Sequence, residues 1–169
     1  MRLYSAKIPK LAHEIVAAIV RDGDIEAPSL KEVELDVQAV LNQYLRDEQD
    51  VTERAKTLVA QRGLPQSEFG RIKKLVAEER KIKIGDEGID YILDQLVEML
   101  MHSANVDEVF AEDYVLRRKM REPLRREAAE EQELQAEVRA QLKHVQEGTS
   151  MWEVEYRRMM DELKRRKGL

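Results

Sequence analysis

The chain contains no cysteine, which excludes disulfides, thiolate metal sites and a cysteine nucleophile. No apolar run approaches 18 residues, so no membrane-spanning helix is expected. The opening MRLYSAKIPK lacks the long apolar core of a secretory signal. Also missing are an HExxH pair, a Walker loop, a GxGxxG turn and a GxSxG elbow. An excess of positive charge is missing too: the net charge of −5 argues against non-specific nucleic-acid binding. These absences lead to the expectation of a cytoplasmic protein that is not an enzyme and holds no cofactor or metal.

Only seven glycines and four prolines interrupt the 169 residues. Apolar residues make up 43% and charged residues 37%, a composition that favours helix nearly everywhere. The length suits one domain, which would bury roughly 68–70% of its unfolded surface. We therefore expect an all-α fold.

The most apolar helical segment is Gly88–His102. Ile89, Ile92, Leu93, Leu96, Val97, Leu100 and Met101 recur at three- and four-residue spacing, which marks a core helix around which the rest is arranged. Upstream, a helix is predicted over about 7–21, with Pro9 in its first turn and Gly23 as its stop. Ser29 with Glu32 forms a capping box that opens a second helix. Asp50 with Glu53 is read as opening a third, shorter one that ends at Gly63 and Pro65. A fourth covers about 68–80. Ile82 and Ile84 alternate with lysines in KIKIGD, the one strand-like signal.

Beyond the central helix, Asn105 and Glu108 read as the cap of a helix carrying Val106, Val109, Phe110 and Tyr114. Pro123 is expected to kink or break that helix. A thinly striped, charged helix follows over about 124–146 and stops at Gly148. Ser150 and Glu153 are read as capping the last helix, which ends in Lys164-Arg165-Arg166-Lys167, where the dipole favours cations. The helices over 124–146 and 151–167 should form an antiparallel hairpin.

An internal duplication is suggested. At a shift of 56 residues, Val33, Val37, Val40, Leu41, Tyr44 and Leu45 fall on Ile89, Leu93, Leu96, Val97, Leu100 and Met101. The division read from this is one helical domain, 1–169, with half-repeats at 1–63 and 66–122 and a terminal hairpin at 124–169. If the halves pack symmetrically, the links around Ile25 and Ile82 should form a minimal two-stranded ladder, with Glu26 near Lys81 or Lys83.

MRLYSAKIP, SEFGRIKKLVAEE, IGDEGIDYILDQLVEMLMHS, VFAED and the closing QEGTSMWEVEYRRMMDELKRRKGL together resemble the bacterial family catalogued as domain of unknown function 507. The resemblance spans the whole chain, and IGDEGIDYILDQLVEMLMHS is its most specific part. It implies a cytoplasmic bacterial protein and carries no catalytic or binding residues with it.

Three surfaces stand out as candidates. Arg117, Arg118, Lys119, Arg121, Arg125 and Arg126 lie within ten residues, followed at once by the acidic EAAEEQELQAE. A phosphate-binding patch is one reading. Pairing with acids of the protein itself is the preferred one, because no stacking aromatic or nucleic-acid motif accompanies the block. Trp152 and Met159, with Met151 and Met160, are either an adaptable binding surface or, as preferred, core. Asp90, Asp94, Glu98 and His102 form a polar row at four-residue intervals. Like charges there cost roughly 0.2–0.5 kcal/mol per pair, so one or more of Arg117, Arg118 and Arg121 is expected to fold back onto Asp94 or Glu98. His13, His102 and His144 read as ordinary surface residues, and carboxylate pairs such as Glu78-Glu79 as solvated faces. The function inferred is a non-catalytic helical protein–protein interaction or adaptor module acting through its charged C-terminal helices, with another protein or a second copy of the chain as partner. The alternative is a nucleic-acid-associated protein using residues 117–126.

Overall fold

One uninterrupted helix, α2 (Leu30–Gln61), runs for 32 residues, about 48 Å at 1.5 Å per residue. Ser29 sits in extended backbone and its hydroxyl accepts from the Glu32 amide, as the capping box requires. The expected second start at Asp50 does not occur. Its buried stripe, Val33, Val37, Leu41, Tyr44, Val51, Ala55 and Val59, stays in helical phase straight through Asp50, and no Gly or Pro interrupts it. The chain arrives at Asp50 already helical, so its amides have partners and need no side-chain cap.

A computed structural model describes all 169 residues, Met1–Leu169. It contains six α-helices and one two-stranded ladder, in the order α1 (Ile8–Val20), β1 (Ile25–Glu26), α2, α3 (Phe69–Glu79), α4 (Gly88–His102), β2 (Glu108–Val109), α5 (Asp113–Gln141) and α6 (Ser150–Lys167). The fold is all-α. No helix is long and apolar enough to cross a membrane. The chain divides into two compact units, Met1–Arg126 and Glu127–Leu169.

The first unit holds two apolar clusters, and α2 contributes to both. Its first half joins α1, α4 and the start of α5, where Ile15, Ile19, Val33, Leu41, Leu93, Leu96, Leu116 and Met120 are almost wholly buried. Its second half packs Val51, Ala55 and Val59 with Ile72, Val76, Ala77 and Ile82 of the α3 region. The organising element is therefore α2; α4 contributes its buried residues to the first core and reaches the second through Tyr91. Met101, expected on the buried face of α4, is 52% exposed.

The end of α3 explains the alternation at Ile82. Lys81 adopts φ +58°, its amide bonds the Glu78 carbonyl, and Ile82 N–H bonds the Ala77 carbonyl at 2.9 Å. This is a Schellman closure, in which the residue after the left-handed position turns apolar to pack back on the helix. Ile82 is apolar for that reason, and no strand forms. Gly63 ends α2 by the same pair of bonds. Lys81 is exposed, so Lys81→Gly should relieve left-handed strain and raise stability by about 0.5–1 kcal/mol. Thermal or urea unfolding of the variant measures it, and an unchanged or lower midpoint contradicts the assignment.

The ladder forms, with a different partner from the one expected. Ile25 pairs with Val109 and Glu26 with Glu108, antiparallel. Phe110 N–H also reaches the Asp24 carbonyl. The links around Ile25 and Ile82 do not pair, and Lys83 pairs instead with Glu87. The helix expected to start at Asn105 begins only at Asp113, because Asn105 is turned onto α2. Asn105 Nδ2 and the Ser103 hydroxyl both donate to Asp36 on α2, and β2 takes up the following backbone. The two proposed half-repeats thus differ: one continuous helix stands where the other has α4, an extended segment and α5.

Pro123 lies inside α5. Its ring is buried beside Leu124, and the helix is carried through it to Gln141. In the second unit, the end of α5 and α6 form an antiparallel pair around Leu134, Val138, Leu142, Tyr156, Met160 and Leu163. Thr149, one residue before the expected cap, closes the start of α6: its hydroxyl accepts from Trp152 N–H at 3.2 Å.

Candidate functional site

The basic block is largely spent on acids of the first unit. Arg117 bonds Asp94 on α4 and, at 3.1 Å, Asp113 one turn back on its own helix. The bond to Asp94 is the main reason its guanidinium is held even more basic than usual. Arg121 meets Asp90 at 2.7 Å, and Arg126 lies 3.7 Å from Glu14 on α1. Lys119 bridges Asp22 and the buried Asp24 in the turn before β1. Those two hydrogen bonds, Asp24 first, raise the Lys119 pKa, while the Lys119 bond lowers that of Asp22.

The signs follow from linkage. The raised lysine contributes stability below its unfolded pKa and loses it as pH rises through the folded value. The lowered Asp22 contributes above the ordinary carboxylate pKa and loses it as pH falls through the depressed one. Arg118 and Arg125 are exposed and make no ion pair.

The polar row on α4 divides accordingly. Asp90 and Asp94 receive arginines, whereas Glu98 pairs within its helix with His102 at 3.0 Å. Such exposed pairs are worth about 0–1 kcal/mol each, enough to offset the repulsion along the row. No three of the His, Asp and Glu side chains gather as a metal site would require. In α6, Trp152 is half-buried and stacks on Tyr156 with ring centroids 4.7 Å apart. Met159 is half-buried as well, Met160 is core, and Met151 is exposed. Trp152 and Met159 thus pack at the margin of the hairpin core.

Another surface was missed from the sequence. α2 and α4 run antiparallel, because Tyr44 meets Tyr91 at one end while Asp36 reaches Ser103 and Asn105 at the other. Between them lies an open groove of about 360 Å³. Asp36, Ala39, Val40, Gln43, Tyr44 and Asp47 line it from α2, a stripe at helical spacing. From α4 come Tyr91, Ile92, Gln95 and Met99. No Lys, Arg or His is among these residues. The available signal was Ala39 with Val40, a small and an apolar residue beside the buried stripe, too modest to single out on its own.

Tyr44 donates to the Lys83 carbonyl at 3.2 Å. Burial first, and then the Glu48 charge, push its phenol far above the usual range. Tyr91 is raised by burial and then by Asp47. Both hydroxyls therefore stay protonated at ordinary pH. The groove offers apolar walls, neutral phenol and amide groups, and a carboxylate toward each end.

The family model described as protein of unknown function (DUF507) matches residues 1–169. The chain belongs to this family. Among proteins of curated function, none matches the DUF507 chain. The family thus supplies an extent that includes both compact units, and the reading of the groove rests on its own geometry.

Proposed function

We propose that the protein is a non-catalytic helical interaction module whose first unit receives a partner protein in the α2–α4 groove. The observation that carries this reading is the groove itself: a stripe from Asp36 to Asp47 facing Tyr91, Ile92, Gln95 and Met99, open to solvent and walled by apolar side chains. Two neighbouring helices that leave such a channel suit helix-in-groove recognition. The engagement of Arg117, Lys119, Arg121 and Arg126 with acids of the same unit weighs against the basic block as the working surface. It leaves Arg118 and Arg125 as the block's unpaired cations.

The test is capture from cells that make the protein, using the wild type and Ala39→Trp, each with and without nuclease. Ala39 is exposed on α2, so the indole should fill the channel with a stability change within about 0.5 kcal/mol. Partners that survive nuclease and disappear with Ala39→Trp are expected. Partners released by nuclease, or indifferent to Ala39→Trp, would overturn the reading in favour of nucleic acid or another surface.

A further inference from the structure

Resting on that reading, we propose that the groove takes a single amphipathic helix of a partner protein bearing a basic residue toward each end of the channel. Two observations set the chemistry. The middle of the channel is apolar, with Val40, Ile92 and Met99 among its walls, which calls for aliphatic anchors on the incoming face. The charged residues of the lining are Asp36 and Asp47 alone; Arg46, outside the lining, is engaged with Gln43 Oε1 at 2.7 Å.

Each carboxylate has capacity left. Asp36 accepts both the Ser103 hydroxyl and the Asn105 amide on its Oδ2 atom, and Asp47 accepts Gln43 Nε2 on Oδ1. A carboxylate offers about four acceptor sites, so a further donor can be accommodated at each. Complementary charge at these points would select the partner and its register.

The spacing is equally specific. Eleven residues separate Asp36 from Asp47 along α2, about 16 Å or three turns. A helix lying along the groove meets both acids when its own two cations stand about eleven residues apart. Cations seven residues apart lie on the same face and miss one of them, since each turn spans about 5.4 Å. Nucleic acid and anionic lipid carry the wrong charge for this lining. Phe110 and Tyr114, two exposed apolar side chains of this chain, are not among the groove residues.

The probes are fluorescein-labelled 18-residue Leu/Ala/Gln helices with lysines eleven or seven residues apart, and a version of the first with glutamates at the lysine positions. Binding is read by anisotropy against the full chain. The eleven-spaced lysine helix should bind about three- to five-fold tighter than the seven-spaced one, the worth of one partly exposed ion pair. It should bind about ten-fold or more tighter than the glutamate version, which replaces attraction by repulsion at both ends. Asp47→Asn should erase the spacing preference, and Ala39→Trp should weaken every helix about ten-fold or more.

Equal binding of lysine and glutamate helices, both lost in Ala39→Trp, would overturn the charge assignment while leaving the groove a docking site. Binding untouched by Ala39→Trp would overturn the site. If no helix of either charge binds, the helix proposal falls, and the capture experiment alone decides the interaction reading. Self-association of the chain in sedimentation that Ala39→Trp abolishes would make a second copy the occupant and would also overturn the proposal.

Discussion

Gly88→Ala is expected to destabilise the first unit by about 2 kcal/mol, within the range for forcing an extra methyl into a filled site. A glycine-to-alanine change inside a helix ordinarily gains up to about 1 kcal/mol, so the sign is the informative part. A β-carbon at Gly88 would stand 2.5 Å from the Tyr44 hydroxyl and 2.8 Å from the Met1 nitrogen. Neither neighbour moves freely. Tyr44 is anchored to the Lys83 carbonyl within the core, and the Met1 amine donates to the Gly85 carbonyl at 2.8 Å.

Tyr44→Phe should recover part of the loss in the double variant by removing the closer atom, which a double-mutant cycle measures. Gly70, with nothing within 4 Å of a β-carbon, serves as the control and should gain stability with alanine. If both glycines respond alike to alanine in urea unfolding, the close approach of α4 to Tyr44 is wrong.

Lys164→Met should cost the second unit about 3–5 kcal/mol, the usual penalty for removing one partner of a buried ion pair. Lys164 Nζ lies 3.2 Å from Glu131, with side-chain exposures of 14% and 2%. Glu131 is almost wholly buried, so water replaces the lost ammonium poorly. The reciprocal pair Glu131→Leu with Lys164→Met removes both charges and should return to near wild-type stability or exceed it. The readout is thermal unfolding of the full chain followed at Trp152, which stacks on Tyr156 in the same hairpin. A single variant within about 0.5 kcal/mol of wild type would place Glu131 in contact with water.

The helical class and most helix ends are local properties, and residues close in sequence carry them. Ser29, Gly23, Gly63 and Gly168 act within five positions of themselves, through one capping hydroxyl or one left-handed turn. A reader of the chain can therefore place them. The unbroken length of α2 was legible in the phase of Val33 through Val59, and an acid pair at Asp50 and Glu53 concealed it. A capping box describes what a helix start uses and does not compel one. The surplus of acids along Asp90, Asp94 and Glu98 likewise pointed to arginines nearby, since like charges at one-turn spacing need compensation. Arg117 on Asp94 and Arg121 on Asp90 supply it, while Glu98 found His102 instead.

By itself the sequence determined an all-α chain, most of its helix ends and most of the faces the helices bury, because hydrogen bonding and side-chain periodicity act over one or two turns. The tertiary structure alone decided that Ile25 pairs with Val109, that Asn105 serves Asp36 and starts no helix, and that a channel opens between α2 and α4. Each of these joins residues about fifty or more positions apart. Such a choice depends on which competing partner the packed backbone brings within hydrogen-bonding distance, and local propensity carries no record of it.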